Sequence, residues 1–590
     1  MLRKFIFKLR KYAAEAREER LLLVLSFVVG LGCGFAAVFL KFMISFFRGI
    51  LTGWFNTPAY SLLYLLYPGL GMLISLLIVK FVVKENISHG VTKVLLAVSK
   101  NESRIKPHNL WSSIATSSVT IGFGGSVGSE APIVYAGAAI GSNIARVLEL
   151  SYRDMTILLG CGASGAIAGI FKAPMAGVLF TFEILLLNLS MSSLLPFVIS
   201  SITATAISYS FMGNDPLFAT SISPFVMGNI PLYVILGIIC GFASLYFIRT
   251  TLAIEDKAKT ILNPYKRWFL MAAGLGVLLF LFPPLYGEGY DSIKYLLNNN
   301  VPSAIGNTVF GGMPQFKWLV PLFFAGVFIF KVFSMSFTNA GGGVGGTFGP
   351  TLFMGGMLGF IIARTANLSG IVDIPEANFV LVGMAGLMAG VMQAPLTAIF
   401  LIAEITGGYS LFMPLIITSA VAFATIRFFE PYSIYAKRIA KQGELLTHDS
   451  DQAVLTLLKT SELIEKNFSP VRLNKSLGEL IPVIAHSKRN IFPVVDKSGF
   501  FQGILYLDDI REVMFDKNKY DSVHVFNFMK QPPDFVYAND KMENAMKKFE
   551  RTNAWNLPVL DVNKHYLGFV SKSKIFSAYR SRLQQVVAHD

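Results

Sequence analysis

GGSVGSEAPIVYAGAAIGSNIAR (Gly124–Arg146) and GGGVGGTFGPTLFMGGMLGFIIAR (Gly341–Arg364) are two copies of one pattern. Val127 pairs with Val344, Pro132 with Pro350 and Arg146 with Arg364, with one residue inserted in the second copy. A second pair follows in the same order. AIAGIFKAPMAGVLFTFEI (Ala166–Ile184) matches LMAGVMQAPLTAIFLIAEI (Leu387–Ile405), setting Gly169 against Gly390, Pro174 against Pro395 and Glu183 against Glu404. A glycine-rich packing seam accounts for any one of these segments, but not for two ordered blocks. The chain therefore carries a duplication, with repeat blocks 124–184 and 341–405.

Working outward, composition places these blocks in a bilayer. Of 590 residues 53% are hydrophobic and only 15% charged, with a mean hydropathy of +0.56. A soluble chain of this length carries far more charge, so this is a membrane protein. Between Trp111 and Ile248 stand only eight charged side chains, among them Glu130, Lys172 and Glu183, and a charge at membrane depth is a candidate functional site. The net charge of +15 comes mainly from the N-terminal tail and the last third. That distribution reads as a positive cytoplasmic face and not as a nucleic-acid footprint. Residues 1–20 are expected to be an uncleaved basic cytoplasmic tail. Cys33, Cys161 and Cys240 lie singly in apolar stretches, without metal or redox spacing, and read as packing residues.

Several apolar segments, such as Met155–Ile170, Pro174–Leu189 and Pro395–Ile405, fall short of the 20 or so residues a simple span needs. Short segments broken by Gly and Pro at membrane depth are expected where discontinuous helices surround a binding site. In each copy a glycine-rich loop ends in Pro132 or Pro350, and Pro suits a first helical turn because its missing N–H is no loss there. A helix N-terminus presents unpaired N–H groups with a partial positive charge. Two such ends near the midplane make an anion site without a full cation, which would hold the ion too tightly for release. Glu130 lies in the first loop. Its carboxylate either occupies the anion site as a tethered competitor, leaving when protonated or displaced, or merely caps the helix dipole.

These loops resemble the signature motifs of the CLC family of chloride channels and chloride/proton antiporters, over nearly the whole chain. Gly128–Pro132 is similar to the GREGP-like motif, with Ser129 for the basic residue and Ala131 for the second Gly. Gly346–Pro350 matches GxFxP, including Phe348. Ser88-His89-Gly90-Val91-Thr92 meets GSGIP loosely, with His89 at the serine position and Thr92 for Pro, and Ser433-Ile434-Tyr435 is the SIY element. The resemblance implies a polytopic α-helical membrane protein with an inverted-topology repeat, forming a homodimer with one pore per subunit. It also implies Glu130 as gating glutamate. An anion path would be lined by Ser88, His89, Gly128, Ser129, Glu130, Ala131, Thr347, Phe348, Gly349 and Tyr435. His89 can donate one N–H to an anion or simply end a helix at the interface; Tyr435 is matched by SIY, although Tyr432 stands three residues away. Glu183 and Glu404, being duplicated, are expected to serve structural hydrogen bonding at helix ends.

After Pro431 the composition changes, and the domains expected are a tail (1–20), a transmembrane pore domain (21–443) and a cytoplasmic regulatory domain (444–590). In the last, NIFPVVDKSGFFQGILYLDDI (Asn490–Ile510) repeats as NLPVLDVNKHYLGFVSKSKIF (Asn556–Phe576), each reading as strand, turn, strand, helix start. This tail resembles a tandem CBS pair. Family members that bind adenine nucleotides carry a hydroxyl residue and an Asp at set places; here Tyr506 and Asp509 stand in one module, Ser571 and Lys574 in the other. Each module keeps half the pattern, so nucleotide binding is possible but unsupported, and no other cofactor is expected.

The function expected is transport of chloride or another small anion through a passive gated channel. A chloride/proton antiporter is the alternative. The channel expectation rests on Ile184, which stands where antiporters of the family commonly carry a second, proton-accepting glutamate. A cation or solute transporter is disfavoured because both loops present amides, and an enzyme because no nucleophile, metal cluster or P-loop is found. The location expected is the plasma membrane, with both termini cytoplasmic.

Overall fold

The computed structural model describes residues 18–53, 63–100, 102–185, 191–305, 317–370, 372–441 and 460–578. The chain divides into two compact units, Met1–Leu446 and Thr447–Asp590. The boundary expected at 443/444 lies outside the described residues. Residues 18–20, expected in the tail, already belong to the first helix.

The first unit is helical. Its opening half contains Glu18–Gly53 (α1), Leu63–Leu77 (α2, continued by a π turn, Ile78–Val83), Gly90–Lys100 (α3), Ser112–Gly122 (α4), Glu130–Val147 (α5), Tyr152–Phe171 (α6), Pro174–Glu183 (α7) and Met191–Met212 (α8). Ile230–Lys259 (α9), Pro264–Leu281 (α10), Tyr290–Leu297 (α11), Val301–Ile305 (α12) and Leu319–Ala340 (α13) follow. Phe348–Leu368 (α14), Glu376–Met392 (α15), Pro395–Ile405 (α16), Phe412–Arg427 (α17) and Ile434–Ala440 (α18) close the unit. Among the described residues seven helices are long and apolar enough to cross a membrane. Others, such as α15 and α16, are apolar but shorter, as broken helices require.

Glycine decides which helices touch backbone to backbone. A Cβ on Gly141 of α5 would stand 1.8 Å from the Leu158 carbonyl oxygen of α6, and one on Gly137 2.2 Å from that of Gly162. The second half repeats the seam: Gly359 of α14 lies against the Phe379 carbonyl of α15 and Gly355 against that of Gly383, at 1.9 and 2.3 Å for the same hypothetical atom. Without side chains in the way, carbonyls and Cα–H groups of facing helices meet directly.

The two halves are inverted, and two contacts show it. Gly128 and Gly346 form an isolated antiparallel bridge, each amide donating to the other's carbonyl at 3.1 and 2.7 Å. Helices α7 and α16 lie antiparallel and clasp each other's ends. Glu183, last residue of α7, accepts from the amides of Leu396 (3.0 Å) and Thr397 (2.7 Å) and from the Thr397 hydroxyl (2.7 Å) at the start of α16. Glu404, near the end of α16, accepts from the amides of Met175 and Ala176 at 2.9 Å each at the start of α7. Each carboxylate satisfies N–H groups its partner helix cannot pair internally.

The second unit holds two three-stranded sheets of identical plan. Val471–Arg472 (β1), Ile491–Val495 (β2) and Phe501–Tyr506 (β3) form one; Val536–Tyr537 (β4), Asn556–Leu560 (β5) and Tyr566–Ser571 (β6) form the other. In each, the first pair is parallel and the second antiparallel, with a register shift at Val494/Val495 and again at Val559/Leu560. Leu477–His486 (α19) follows β1 behind a capping box of Ser476 and Glu479, and Met542–Thr552 (α21) occupies the same place after β4. Leu507–Ile510 (α20) begins where β3 ends.

Candidate anion site at the meeting of helix ends

Helices α5 and α14 begin two residues before their prolines, so Glu130 and Phe348 are first-turn residues rather than loop residues. The loops turn at Gly124 (φ +96°) and Gly342 (φ +104°), where a side chain would be strained. The bridge between Gly128 and Gly346 then sets the two helix starts side by side. By helix geometry the first amides of each have no carbonyl of their own helix to donate to.

The Glu130 carboxylate lies over this junction. A Cβ on Gly128 would stand 2.0 Å from its Oε2, one on Gly346 3.0 Å from Oε2, and one on Gly349 2.8 Å from Oε1. Glycine at these three positions makes the room the carboxylate fills. Glu130 is 1% exposed; its Oε1 accepts from the Tyr290 hydroxyl at 3.0 Å, and among the described residues its Oε2 has no hydrogen-bond partner. A buried carboxylate oxygen without a partner is costly unless something replaces it or protonates it.

Other sequence-predicted residues gather here. Ser129 donates its amide (3.1 Å) and hydroxyl (2.6 Å) to Glu288. Ala131 is buried against the start of α3, where a Cβ on Gly90 would stand 2.3 Å from its carbonyl oxygen. Phe348 packs on Phe171 and Phe180, at ring-centroid distances of 5.5 and 6.3 Å. Thr347 donates its hydroxyl to the Tyr435 hydroxyl at 3.3 Å, and Tyr435 is buried whereas Tyr432 is exposed. Thus α3, α5, α14 and α18 converge by their N-terminal ends.

Ser88 and His89 sit at a cavity of about 870 Å³, lined also by Thr92, Glu255, Asn339 and Arg438. His89 adopts a left-handed φ of +60°, which His tolerates better than most side chains, and its carbonyl accepts from the Lys93 amide as α3 begins. Its ring faces Glu255, Nε2 to Oε1 3.8 Å, and Glu255 is held by Arg438 at 2.6 Å. The Thr92 hydroxyl, at the position the GSGIP motif gives to proline, is buried with no partner among the described residues.

Sequence reasoning missed four polar residues around the gate region: Lys41, Glu288, Tyr290 and Lys331. Lys331 is fully buried in α13, donating to the Ser126 hydroxyl (2.8 Å) and to the carbonyls of Gly287 (3.0 Å) and Leu285 (3.3 Å), with the Phe353 ring 4.8 Å away. A lone lysine inside the apolar stretch of α13 was the available signal. Glu288 lies on the short connection before α11 and Tyr290 opens that helix, with no periodicity to single them out.

A duplicated bundle of broken helices whose N-termini meet around a buried carboxylate defines a membrane transporter of small anions. A family model for the voltage gated chloride channel matches residues 70–427, and one for the CBS domain matches 525–581. The chain belongs to the CLC, or voltage gated chloride channel, family. It is 28% identical over 392 residues to a putative chloride channel protein ClcB-like of Ralstonia nicotianae, covering 64% of this chain and 86% of that one. It is 29% identical over 346 residues to the H(+)/Cl(−) exchange transporter ClcA of Vibrio cholerae, covering 56% and 69%. The fold is similar to that of a slow cyanobacterial Cl−/H+ antiporter, with a TM-score of 0.61 and 22% identity over 71% of this chain and 97% of that one. Chloride transport is the work of this family, whose members are transporters and not enzymes.

Proposed function

We propose that this chain exchanges chloride for protons, with Glu130 as the moving gate, rather than acting as the passive channel expected from Ile184. The carrying observation is the Glu130 carboxylate lying against the glycines of both loops, where a chloride would meet the same helix starts. One negative group fits there at a time, so chloride entry displaces the carboxylate and a displaced carboxylate is free to take a proton. The relative named as an exchange transporter supports the coupled reading. The passive channel stays as the second reading, because Ile184 is a buried isoleucine and carries no proton.

Ser88, His89, Gly128, Ser129, Ala131, Thr347, Phe348, Gly349 and Tyr435 line the anion route to the gate in this reading, with Ser88 and His89 bordering the 870 Å³ cavity. The chain works as a homodimer with one pore per subunit. The domain limits proposed are 1–17, 18–443 and 444–590, the first helix opening at Glu18, with both termini cytoplasmic in the plasma membrane. Purified protein in liposomes, given a chloride gradient and no proton gradient, tests the coupling. Sustained uphill proton movement, abolished by Glu130→Ala, is the expected result; chloride flux without proton movement returns the passive channel.

A further inference from the structure

The connection between α10 and α11 carries residues that touch the gate and its neighbour. Glu288 accepts twice from Ser129, the residue before the gate, and pairs with Lys41 of α1 at 3.1 Å. Two residues on, Tyr290 opens α11 and gives its hydroxyl to Glu130 Oε1 at 3.0 Å. The Tyr290 ring is held edge-on by Phe218, 5.6 Å between centroids, and Lys41 Nζ lies 5.8 Å from the ring. A Cβ on Gly349 would stand 3.1 Å from the same hydroxyl, so Tyr290 sits across the junction of the two loops. Beneath, Lys331 of α13 grips the carbonyls of Leu285 and Gly287 just before Glu288.

We propose that Tyr290 is the latch of the gate: its hydroxyl holds the Glu130 carboxylate in the closed place, and the Lys41–Glu288–Ser129 strap holds the latch against α5. The inference rests on Glu130 being the gate. Its physical basis is that a hydroxyl donating to an ionised carboxylate makes a charge-assisted bond, stronger than a neutral one. That bond exists only while the carboxylate is in place, so it opposes opening and not anion passage itself. The ring makes the bond selective for position: packed against Phe218, it cannot follow Glu130 outward. Charged and titratable groups around the gate are Glu288 and Tyr290, Lys41 on α1, Lys331 on α13 and Tyr435 on α18. Of these, Tyr290 is the one that hydrogen-bonds the carboxylate among the described contacts. Tyr290 is a positioning residue, acting on the anion through the gate.

The test is chloride efflux from liposomes holding the full-length protein, for wild type, Tyr290→Phe, Glu130→Gln and the double variant. Tyr290→Phe keeps the ring and removes one hydroxyl, so efflux should rise on the order of tenfold at neutral pH. On the Glu130→Gln background the same change should do nothing further. Lys41→Met, which removes the ammonium that pairs with Glu288 and lies beside the Tyr290 ring while leaving the Tyr290 hydroxyl in place, should raise efflux in the same Glu130-dependent way. If Tyr290→Phe leaves efflux at the wild-type rate, or speeds it equally with and without Glu130, the latch is wrong while the gate survives. If Glu130→Gln itself leaves efflux and its pH response unchanged, the gate reading fails and the latch with it.

Discussion

Glu130 and Phe348 hold equivalent first-turn places in α5 and α14, and there the two halves part company. One half offers a carboxylate that can leave, the other a phenyl ring packed on Phe171 and Phe180. Glu130→Gln should therefore mimic a protonated gate, leaving chloride flux intact or faster and less dependent on pH; a folded mutant with the wild-type pH response would show that another group gates. His89 poses a subtler residue-scale question, since its ring turns to Glu255 while its backbone starts α3. If its contribution to the anion is side-chain chemistry, His89→Ser should alter selectivity among chloride, bromide and nitrate. Selectivity equal to wild type in anion-competition assays assigns the ring to the Glu255–Arg438 cluster alone.

Among elements, the duplicated seams and the clasp carry the predictions. Gly141→Ala would push α5 off α6, because the Leu158 carbonyl is backbone and cannot swing aside; a cost of about 1–3 kcal/mol follows. Gly359→Ala should cost a similar amount in the other half, whereas Gly228→Ala, with nothing within 4 Å, should stay within about 0.5 kcal/mol. Thermal unfolding in detergent decides: equal melting of Gly141→Ala and Gly228→Ala removes the backbone-contact account. In the clasp, Glu183→Gln replaces an acceptor by an N–H₂ group facing amide donors, and should destabilise by about 2–3 kcal/mol. Anion selectivity should not move with it; a selectivity change would give Glu183 a place on the transport route.

At the scale of the whole molecule, the internal contacts of the tail argue against nucleotide sensing. The Ser571 hydroxyl already donates to Glu465, which Arg489 also holds, and Asp509 is paired with Lys530 at 2.6 Å. A nucleotide would have to displace these bonds. Full-length protein should bind ATP or AMP more weakly than about 10 μM, roughly −7 kcal/mol, by calorimetry; tighter binding overturns the expectation. For the dimer, photobleaching of labelled chains diluted into liposomes should give two steps per particle, and single steps throughout would refute it.

The sequence by itself determined the bilayer, the duplication, the family and the two alike modules of the tail. Those are properties of composition, period and spacing, which are written locally and survive without coordinates. It also singled out Glu130, because a charge is rare in this apolar stretch and because the GREGP-like motif that the segment resembles implies a gating glutamate there, and it read Glu183 and Glu404 as helix-end hydrogen-bonding residues. What it left unwritten was each one's partner. That Glu183 caps the helix carrying Glu404, and the reverse, depends on inverted halves meeting face to face. Only the tertiary structure decided the company of the gate as well: Tyr290 and Glu288, about 160 positions along the chain from Glu130, Lys41 on the first long helix, and Lys331 inside an apolar stretch. Such contacts join residues whose local pattern carries no sign of one another, since a hydrogen bond answers to distance in space and a sequence records only distance along the chain.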